Sequence, residues 1–563
     1  GALRGRGGVA EALRAAEDRH REELATLRRE LAEELAAGGG SSRSEDEELA
    51  AALERDRKQA LDQQEGGSDP SAGGGVGDWE DEFFGEGGGG ESASASSGGA
   101  GGDSSDEDLD ALFADTGEES EGGGSFEDEE EAGQGLVDRA WGWVSENIHG
   151  SVGYKNLSHF SHGSDGNARK TRHELRLYLD YRGWLWQNET GSTGLRLVTE
   201  LDVRVDDDDY TIGVPDSIDD DDRRRPIITT KDFYAALAID LFEVRVGYQI
   251  FGWGTGDLFN PTDNLNPIDF ADPFDSRRIP VFSTAITLDF NQISFELVSI
   301  PTFTRSRLPL RNRRFDPLRT SPLPVLNPTD PEADFSNAQW GGRMRAHVGG
   351  FDLSLSGFSG FNDLPSARLA VIQTPTPAIV VNPVYEKIHV AGFDFATTLG
   401  VFGASGKLGE ILNGIQLHGE AAHFFSEGAF AEDFLQFVIG FNYQFVDVLW
   451  EHDLTLVVEF GSDYVTKEAE DALDQGNALD RIFKNAVLVR LQYDIGNDIQ
   501  ISVTGGVILH GDENGYVHPA LSYNASDNLQ FEVAGDIFLG NEDTFFGQFK
   551  RDGRVIFEAR WRW

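Results

Sequence analysis

The sequence predicts an all-β fold: a transmembrane antiparallel β-barrel of about 18 strands, preceded by a disordered acidic N-terminal region with short helices. Three observations predict this fold. Apolar and polar residues alternate from about residue 150 to Trp563, in segments of about ten residues, as in strands that face lipid on one side. Short turns and long loops alternate between these segments. The last segment is amphipathic and ends on an aromatic residue.

Composition limits what the chain does. It has 563 residues and a formal net charge of −51, and no Lys or Arg occurs between Lys58 and Arg139. A nucleic-acid partner is disfavoured, because no basic stripe is present to neutralise phosphates. Cysteine is absent, which excludes disulfides and thiolate metal sites. No apolar run reaches the length of a membrane-spanning helix. No signal peptide is visible at Gly1, so we expect that the true start has been removed or lies upstream.

The N-terminal region divides into three parts. Residues 1–65 are predicted to be helical, as a coiled coil or as solvated helices, because leucines recur at helical spacing among Ala, Glu and Arg. Residues 66–135 form an acidic linker rich in Gly and Ser, whose composition predicts disorder. Residues 136–149 are predicted to form an amphipathic helix, because Val137, Trp141, Val144 and Ile148 fall on one face.

Two acidic islands with aromatic residues interrupt the linker. They contain Trp79, Phe83 and Phe84, then Leu112 and Phe113. One interpretation is that they are short docking motifs for a periplasmic partner protein. The alternative is a solubilising tail with incidental aromatics.

The barrel is predicted to cover residues 150–563. We count about 17 clear strands, and the parity of up and down strands requires one more, for which residues 154–162 are the candidate. A barrel of this size leaves an aqueous lumen. The strand patterns assign opposite charges to its wall: Arg176, Arg196, Arg204, Arg245, Arg343, Arg345 and Arg490 against Glu200, Asp202, Glu420, Glu459 and Glu532.

The connections have two lengths. Short turns are predicted near residues 242–243, 291–292, 349–350, 496–498 and 526–528. Long loops are predicted at residues 206–231, 252–281, 301–335, 361–383 and 464–483. Outer-membrane barrels have short periplasmic turns and long external loops. We therefore expect this chain in the outer membrane of a Gram-negative bacterium, in contact with lipid and lipopolysaccharide and inserted by the barrel-assembly machinery. The N-terminal region would then lie in the periplasm.

In the final strand, residues 554–563, alternation assigns each side chain to the lumen or to lipid. Arg560 and Arg562 are predicted to face the lumen, and Trp561 and Trp563 to face lipid. A terminal aromatic residue on such a strand resembles the assembly signal of bacterial outer-membrane barrels. Interface anchoring by the two tryptophans would also place the strand in a membrane.

A long loop at residues 252–280 organises the prediction of the pore. Its aromatic residues are costly in water, and its Asn-Pro and Asp-Pro pairs set extended turns, so we expect it to fold inward and to constrict or plug the lumen. Arg245, as the lumen charge nearest in sequence, is the expected partner of its charged side chains. The predicted constriction residues are Arg245, Trp253, Asp257, Phe259, Asp275, Arg277, Arg278, Arg343 and Arg345.

The same region carries a family resemblance. Its motifs are Arg245-Val246-Gly247-Tyr248-Gln249, Gly252-Trp253-Gly254, Asn260-Pro261 and Asn266-Pro267. They resemble a family of proteobacterial outer-membrane barrels known as a domain of unknown function. Alginate-export-type porins are similar in the first motif and more distant elsewhere. Membership of the first family implies a neighbouring inner-membrane exporter of hydrophobic compounds.

No catalytic constellation and no cofactor motif is present, and we expect no enzyme. Acidic runs predict a weak divalent-cation site at lipopolysaccharide, with mutual pairing of the acidic and basic loops as the alternative. Its residues would be Asp207, Asp208, Asp220 and Asp221. The expected function is a channel or transporter for a small or hydrophobic molecule, coupled to partners through the tail. The alternative is a plugged structural barrel that anchors periplasmic partners.

Overall fold

Eighteen strands form one continuous antiparallel sheet in the computed structural model. The structure describes residues 147–162, 169–208, 210–212, 224–310, 313–316, 323–372, 378–402, 412, 414–428, 432–450, 452–468, 481 and 483–563. The predictions for residues 1–65 and 66–135 lie outside these ranges, as do the two aromatic islands and residues 136–146 of the helix predicted at 136–149. Of that helix, Ile148 and His149 are described and belong to the first strand instead. Among the described residues, no helix combines the length and the hydropathy needed to cross a membrane.

The strands follow the chain in order around the sheet. We number them β1 (Ile148–His159), β2 (Thr171–Gln187), β3 (Thr193–Asp206), β4 (Ile228–Ile239), β5 (Phe242–Gln249), β6 (Val281–Asp289), β7 (Ile293–Ile300), β8 (Gln339–Val348), β9 (Phe351–Phe361), β10 (Lys387–Thr398), β11 (Ile415–Ser426), β12 (Asp433–Leu449), β13 (His452–Lys467), β14 (Ala486–Ile495), β15 (Ile499–Ile508), β16 (Asn514–Ser526), β17 (Leu529–Leu539) and β18 (Arg554–Arg562).

The loops add short elements. In the described ranges, three 3₁₀ turns span Phe335–Asn337, Leu399–Phe402 and Gly547–Phe549. Short strands span Thr211–Ile212, Arg225–Pro226, Ile268–Asp269, Arg277–Arg278, Ser366–Ile372 and Ala378–Val384.

The sheet closes on itself through β1. This strand pairs with β2 on one side, where Tyr154 lies opposite Leu175, and with β18 on the other, where Tyr154 lies opposite Ala559. The prediction of a closed barrel of about 18 strands is therefore confirmed. The candidate strand at residues 154–162 exists, but it begins earlier, at Ile148, and ends at His159. The barrel thus starts two residues before the predicted boundary at residue 150.

Turns and loops lie at opposite ends of the barrel. Short turns join β4 to β5, β6 to β7, β8 to β9 and β14 to β15, whereas the connections after β3, β5, β7 and β9 are long. Three connections depart from this pattern and were not predicted. Residues 399–414 join β10 to β11 at the short-turn end, and residues 427–432 and 509–513 are short connections at the long-loop end. Both β1 and β18 also reach the short-turn end, because Ser151 pairs with Arg562 there. The N-terminal region therefore joins the barrel on that side.

The outward and inward faces differ as the alternation predicts. Outward-facing Val555 and Trp561 are 41% and 50% exposed, whereas inward-facing Arg560 is 7% exposed. Arg560 donates to Glu558 within the lumen, and Arg562 donates to Gln530 at the rim. The parity assigned to the final strand is therefore confirmed for Arg560 and Trp561. This arrangement leaves the apolar faces outside and satisfies the polar side chains inside.

The hydrophobic core lies inside the barrel rather than between layers. One cluster combines Leu258 and Phe274 of the β5–β6 loop with side chains from β13 to β17, among them Leu488 and Phe538. A second combines Trp253 and other loop residues with side chains from β6 to β11. Loop residues thus fill much of the space that the strands enclose.

Candidate functional site

The candidate site is the connection between β5 and β6, residues 250–280, which we call the lumen loop. Asn266 fastens its base: the side-chain amide donates to the carbonyls of Gln249 and Ile279, each at 3.0 Å, and its oxygen accepts from the Phe251 N–H at 2.7 Å. Asn266 precedes a proline, which favours an extended backbone at this position. The two ends of the loop are therefore held close together where the chain leaves and re-enters the barrel wall.

Two glutamates on the wall hold the first part of the loop by its backbone. Glu420 of β11 accepts from the N–H groups of Thr255, Gly256 (2.6 Å) and Thr262 (3.1 Å), and from the Thr262 hydroxyl (2.8 Å). Glu459 of β13 accepts from the N–H groups of Asp257 (2.6 Å) and Leu258 (3.1 Å). Together the two carboxyl groups satisfy five consecutive or nearby donors of the loop, which fixes its path along the wall.

Gly254 lets the loop approach Glu420 closely. Its φ of +101° is unfavourable for residues with a side chain, and a Cβ there would collide with the Glu420 carboxylate. The second glycine of the Gly-Trp-Gly motif is therefore required by backbone conformation and by space.

Ion pairs hold the second part of the loop to the other side of the barrel. Asp272 lies 2.5 Å from Arg554 of β18 and 3.6 Å from Arg172 of β2. Asp275 lies 3.1 Å from Lys155 of β1, and both side chains are fully buried. In strand order, β18, β1 and β2 are on the far side of the ring from β11 and β13. The lumen loop therefore crosses the lumen.

Trp253 anchors the start of the loop on a third part of the wall. Its Nε1–H donates to Glu296 of β7 at 3.0 Å, and the Arg343 guanidinium lies 5.2 Å from its ring centre. Glu296 also accepts from Arg245 at 2.7 Å and from Arg343 at 3.3 Å. Indole, carboxylate and two guanidinium groups thus form one buried cluster.

Neighbouring loops support the lumen loop from the long-loop end. Arg225 donates to Asp269 at 2.8 Å and Arg307 donates to it at 2.5 Å. Burial alone would raise the pKa of Asp269, but these two guanidinium groups hold it below its usual value. Asp269 is therefore ionised in the folded protein. Its ion pairs connect the lumen loop to the loop between β3 and β4, which carries Arg225, and to the loop between β7 and β8, which carries Arg307.

Aromatic packing closes the same region. The Phe274 ring centre lies 4.4 Å from that of Phe538 and 5.2 Å from those of Phe315 and Tyr516. Phe259 packs against Phe483 at 5.1 Å. Phe274 is almost fully buried. These rings exclude water from the lumen where the loops meet.

The predicted constriction residues fall into groups. Trp253, Arg245 and Arg343 meet at Glu296, as described above. Asp275 and Arg277 pair with wall residues Lys155 and Asp202, whereas Arg278 pairs with Asp263 of the loop itself. Asp257 accepts from Asn442 at 2.9 Å, and Phe259 packs on Phe483. Arg345 is exposed on β8.

The partners of these residues differ from the expected ones. Arg245 pairs with Glu296 and Glu243 instead of with a charged side chain of the loop, because its position on β5 points toward β7. Glu420 and Glu459 were assigned to the lumen wall but not to the loop. Lys155, Asp272 and Arg554 were not predicted at all. Alternation assigns each residue to the inner or the outer face of the wall. It does not predict at which level along the barrel axis the residue lies relative to the loop.

One group has the donor set of a metal site. Within the described ranges, ligand atoms of Asp257, His418 and Glu459 lie within 4.8 Å of one another. The same Glu459 oxygen already accepts from the Asp257 N–H and from His418 at 2.8 Å. A divalent cation would have to displace the imidazole from this carboxylate, so hydrogen bonding accounts for the group.

The predicted cation site lies partly outside the described ranges, since Asp220 and Asp221 are not described. Asp208 lies 3.1 Å from Arg313 and 3.9 Å from Arg169, and Asp207 lies 3.7 Å from Arg169. Arg313 lies in the arginine-rich loop after β7, and Arg169 lies in the connection between β1 and β2. The Asp208–Arg313 pair is therefore of the kind that the alternative interpretation expects.

Comparison with known proteins gives fold neighbours only. No protein-family model and no curated protein matches the chain. Among solved structures, the outer membrane protein OpdK of Pseudomonas aeruginosa is 9% identical, with a TM-score of 0.41, over 74% of this chain and 99% of OpdK. OccK5 (OpdH) of the same species is 12% identical with a TM-score of 0.38, again over 74% and 99%. OccAB3 of Acinetobacter baumannii is 11% identical with a TM-score of 0.40, over 74% and 99%.

TM-scores this low carry no argument about this chain. The assignment of a closed barrel rests on the strand pairing alone. The resemblance to alginate-export-type porins stays a prediction.

Proposed function

We propose that this chain is an outer-membrane channel of a Gram-negative bacterium for a small or hydrophobic molecule, and that the lumen loop is its gate. One observation carries the proposal: the loop crosses the lumen and is bonded to β11 and β13 on one side and to β18 and β1 on the other. A loop placed in this way decides whether a solute passes.

The outer surface supports a membrane location. Tryptophans are exposed near the short-turn end of several strands, where a membrane interface favours them. They are Trp184, Trp186, Trp450, Trp561 and Trp563. Apolar side chains such as Leu175 and Val555 face outward between the two ends. The N-terminal region joins at the short-turn end, which is periplasmic in this arrangement. That position supports coupling to a periplasmic partner through Trp79, Phe83, Phe84, Leu112 and Phe113.

A second candidate function is a permanently plugged barrel that anchors periplasmic partners. The buried ion pairs between the loop and the wall favour it, because a plug held by Lys155–Asp275 and Arg554–Asp272 resists removal. The two functions differ in whether the loop ever moves.

Single-channel recording in a planar bilayer tests the gate. Deleting residues 262–272 removes the middle of the loop while β5 and β6 keep their pairing, and we expect a higher conductance from a barrel that still inserts. Exposure to external antibiotics that the wild type excludes should then kill cells carrying this variant. An inserted deletion variant with wild-type conductance would place the loop outside the pathway.

A disulfide lock separates a gate from a permanent plug. An ideal Cβ at Gly392 of β10 lies 3.5 Å from the Cβ of Thr262, within the disulfide range of about 3.5–4.5 Å. The natural chain has no cysteine, so the double variant T262C/G392C has only this pair. For a gate, the reduced variant should open, oxidation should abolish those openings and reduction should restore them. For a permanent plug, wild type and locked variant should be equally silent while the deletion variant conducts.

A further inference from the structure

We infer that the gate opens by release of residues 254–262 from Glu420 and Glu459, and that the path so exposed along β10 to β14 admits positively charged solutes. This inference rests on the proposed function, since it specifies the moving part and the class of solute for the same loop.

The segment that we call the latch, residues 254–262, is bounded by firm anchors. On one side Trp253 is bonded to buried Glu296. On the other, Asp263 pairs with Arg278 inside the loop, and Asn266 fastens the base. Between these points the segment begins with Gly254, which adopts a φ that other residues avoid. A short segment between fixed points is suited to move as a unit.

The latch is bonded differently from the rest of the loop. Its hydrogen bonds to Glu420 come from backbone N–H groups and one hydroxyl, and no basic side chain in the described part of the chain forms an ion pair with Glu420. Water replaces such donors and acceptors readily when a segment moves away. Asp272 and Asp275, by contrast, pair with Arg554 and Lys155 in fully buried positions. Separating these pairs would leave isolated charges in a poorly polarisable interior, which costs far more.

The same segment contains a buried side chain whose polar atoms lack hydrogen bonds. Both the amide nitrogen and the amide oxygen of Asn260 are buried and have no hydrogen-bond partner. Buried amides are nearly always bonded, so this side chain is less stable inside than in water. Release of the latch would hydrate Asn260, which favours movement of this segment.

Movement of the latch would uncover an acidic wall. On β10 to β14, the inward-facing charged side chains of the described residues are mainly carboxylates. The acids are Asp394, Glu420, Asp453, Glu459, Asp463 and Asp494, and the base is Arg490, with His418 beside Glu459.

Basic side chains of neighbouring elements offset two of these acids. Arg481 of the β13–β14 loop pairs with Asp463, and Arg343 and Arg345 of β8 face Asp394. Glu420 and Glu459 would lose their N–H donors and meet water as free carboxylates. Rings and ladders of carboxylates concentrate cations in a pore.

Bilayer recordings of charge-neutralised variants test both parts of the inference. Glu420→Gln and Glu459→Gln keep the side-chain shape and one acceptor oxygen but remove the charge. We expect each to raise the open probability severalfold, because both carboxylate oxygens accept hydrogen bonds from the latch and the amide nitrogen of Gln cannot accept. We expect both, once open, to prefer K⁺ over Cl⁻ less than the wild type does, by the reversal potential in a KCl gradient. Glu542→Gln is the matched control: its exposed side chain in the β17–β18 loop pairs with Arg551, and both readouts should stay at wild-type values.

Three outcomes overturn the inference while sparing the gate. In the first, oxidised T262C/G392C still opens although the deletion of residues 262–272 raises conductance, which assigns the movement to the ion-paired half. In the second, the open wild type prefers Cl⁻. In the third, a double E420Q/E459Q variant that folds and inserts opens no more often than the wild type. Failure of the deletion variant to conduct overturns the gate itself. The inference and the proposed function therefore fail in distinguishable ways.

Discussion

Arg554, in the last strand, donates to the carboxylate of Asp272 in the lumen loop at 2.5 Å, and both side chains are buried. The two residues are 282 positions apart. Arg554 also pairs with Asp536 of β17, and Asp272 lies 3.6 Å from Arg172 of β2. One guanidinium thus joins the closing strand of the barrel to the loop inside it. The strand that completes the barrel also holds the lumen loop.

Replacement of Arg554 by Ala should destabilise the barrel strongly. It leaves Asp272 and Asp536 buried without their closest cation, a change that costs about 3–5 kcal/mol. The temperature at which the detergent-solubilised barrel loses its folded gel mobility measures the loss. Arg551→Ala is the control, because that pair with Glu542 is exposed and contributes about 0–1 kcal/mol. Equal stability of the two variants would contradict the structural role of Arg554.

Strand parity in β18 predicts an asymmetric response to charge. Val555 faces outward, whereas Glu558 faces the lumen and is buried. Val555→Arg should reduce the amount of folded barrel in outer membranes, because a cation on the lipid face costs roughly 2–4 kcal/mol at mid-depth. Glu558→Gln should assemble nearly as well as the wild type. Gel mobility of unheated membrane samples reports both, and equal tolerance would overturn the assigned faces.

Gly254→Ala should loosen the latch. At φ +101° an alanine is strained by about 1–3 kcal/mol, and its Cβ would push against the Glu420 carboxylate. We expect more frequent openings in bilayer recordings with an unchanged barrel. Gly496→Ala is the matched control, because that turn glycine also has positive φ (+62°) but no atom within 4 Å of the added Cβ. If the control opens as often as Gly254→Ala, general loss of stability explains the effect.

Burial raises the pKa of Asp363 from 3.8 to about 6, although Ser306 and nearby N–H groups lower it in part. This carboxyl lies in the loop after β9 and accepts from the Ser306 hydroxyl at 2.5 Å. Because the folded pKa lies above the unfolded value, the stabilisation is complete below pH about 4 and is lost as pH rises through 6.

Asp363→Asn should remove this pH dependence. Between pH 4.5 and 7.5, the free energy of unfolding of the wild type should fall relative to that of the variant by an amount on the order of 1–3 kcal/mol. The melting temperatures of the two proteins in detergent, compared at each pH, report this loss. Parallel melting curves across this range would show that Asp363 is not protonated by burial.

The sequence by itself determined the barrel, its parity and the unusual loop. Alternation places Trp561 outside and Arg560 inside, because side chains on a strand point alternately to its two faces. The aromatic and proline content of residues 252–280 indicated a loop that avoids water. Strand number followed from counting, with errors in where β1 begins and ends.

Tertiary structure alone decided the contacts of the loop. Glu420 and Glu459 resemble other inward-facing acids such as Glu532 in sequence, yet only their height and position on the ring bring them to the backbone of residues 255–262. Arg245 is adjacent to the loop in sequence but pairs with Glu296 across the sheet. Alternation repeats along every strand, so it carries no information about which strands face each other across a lumen. That relation depends on closure of the ring and on the path of the loop through it.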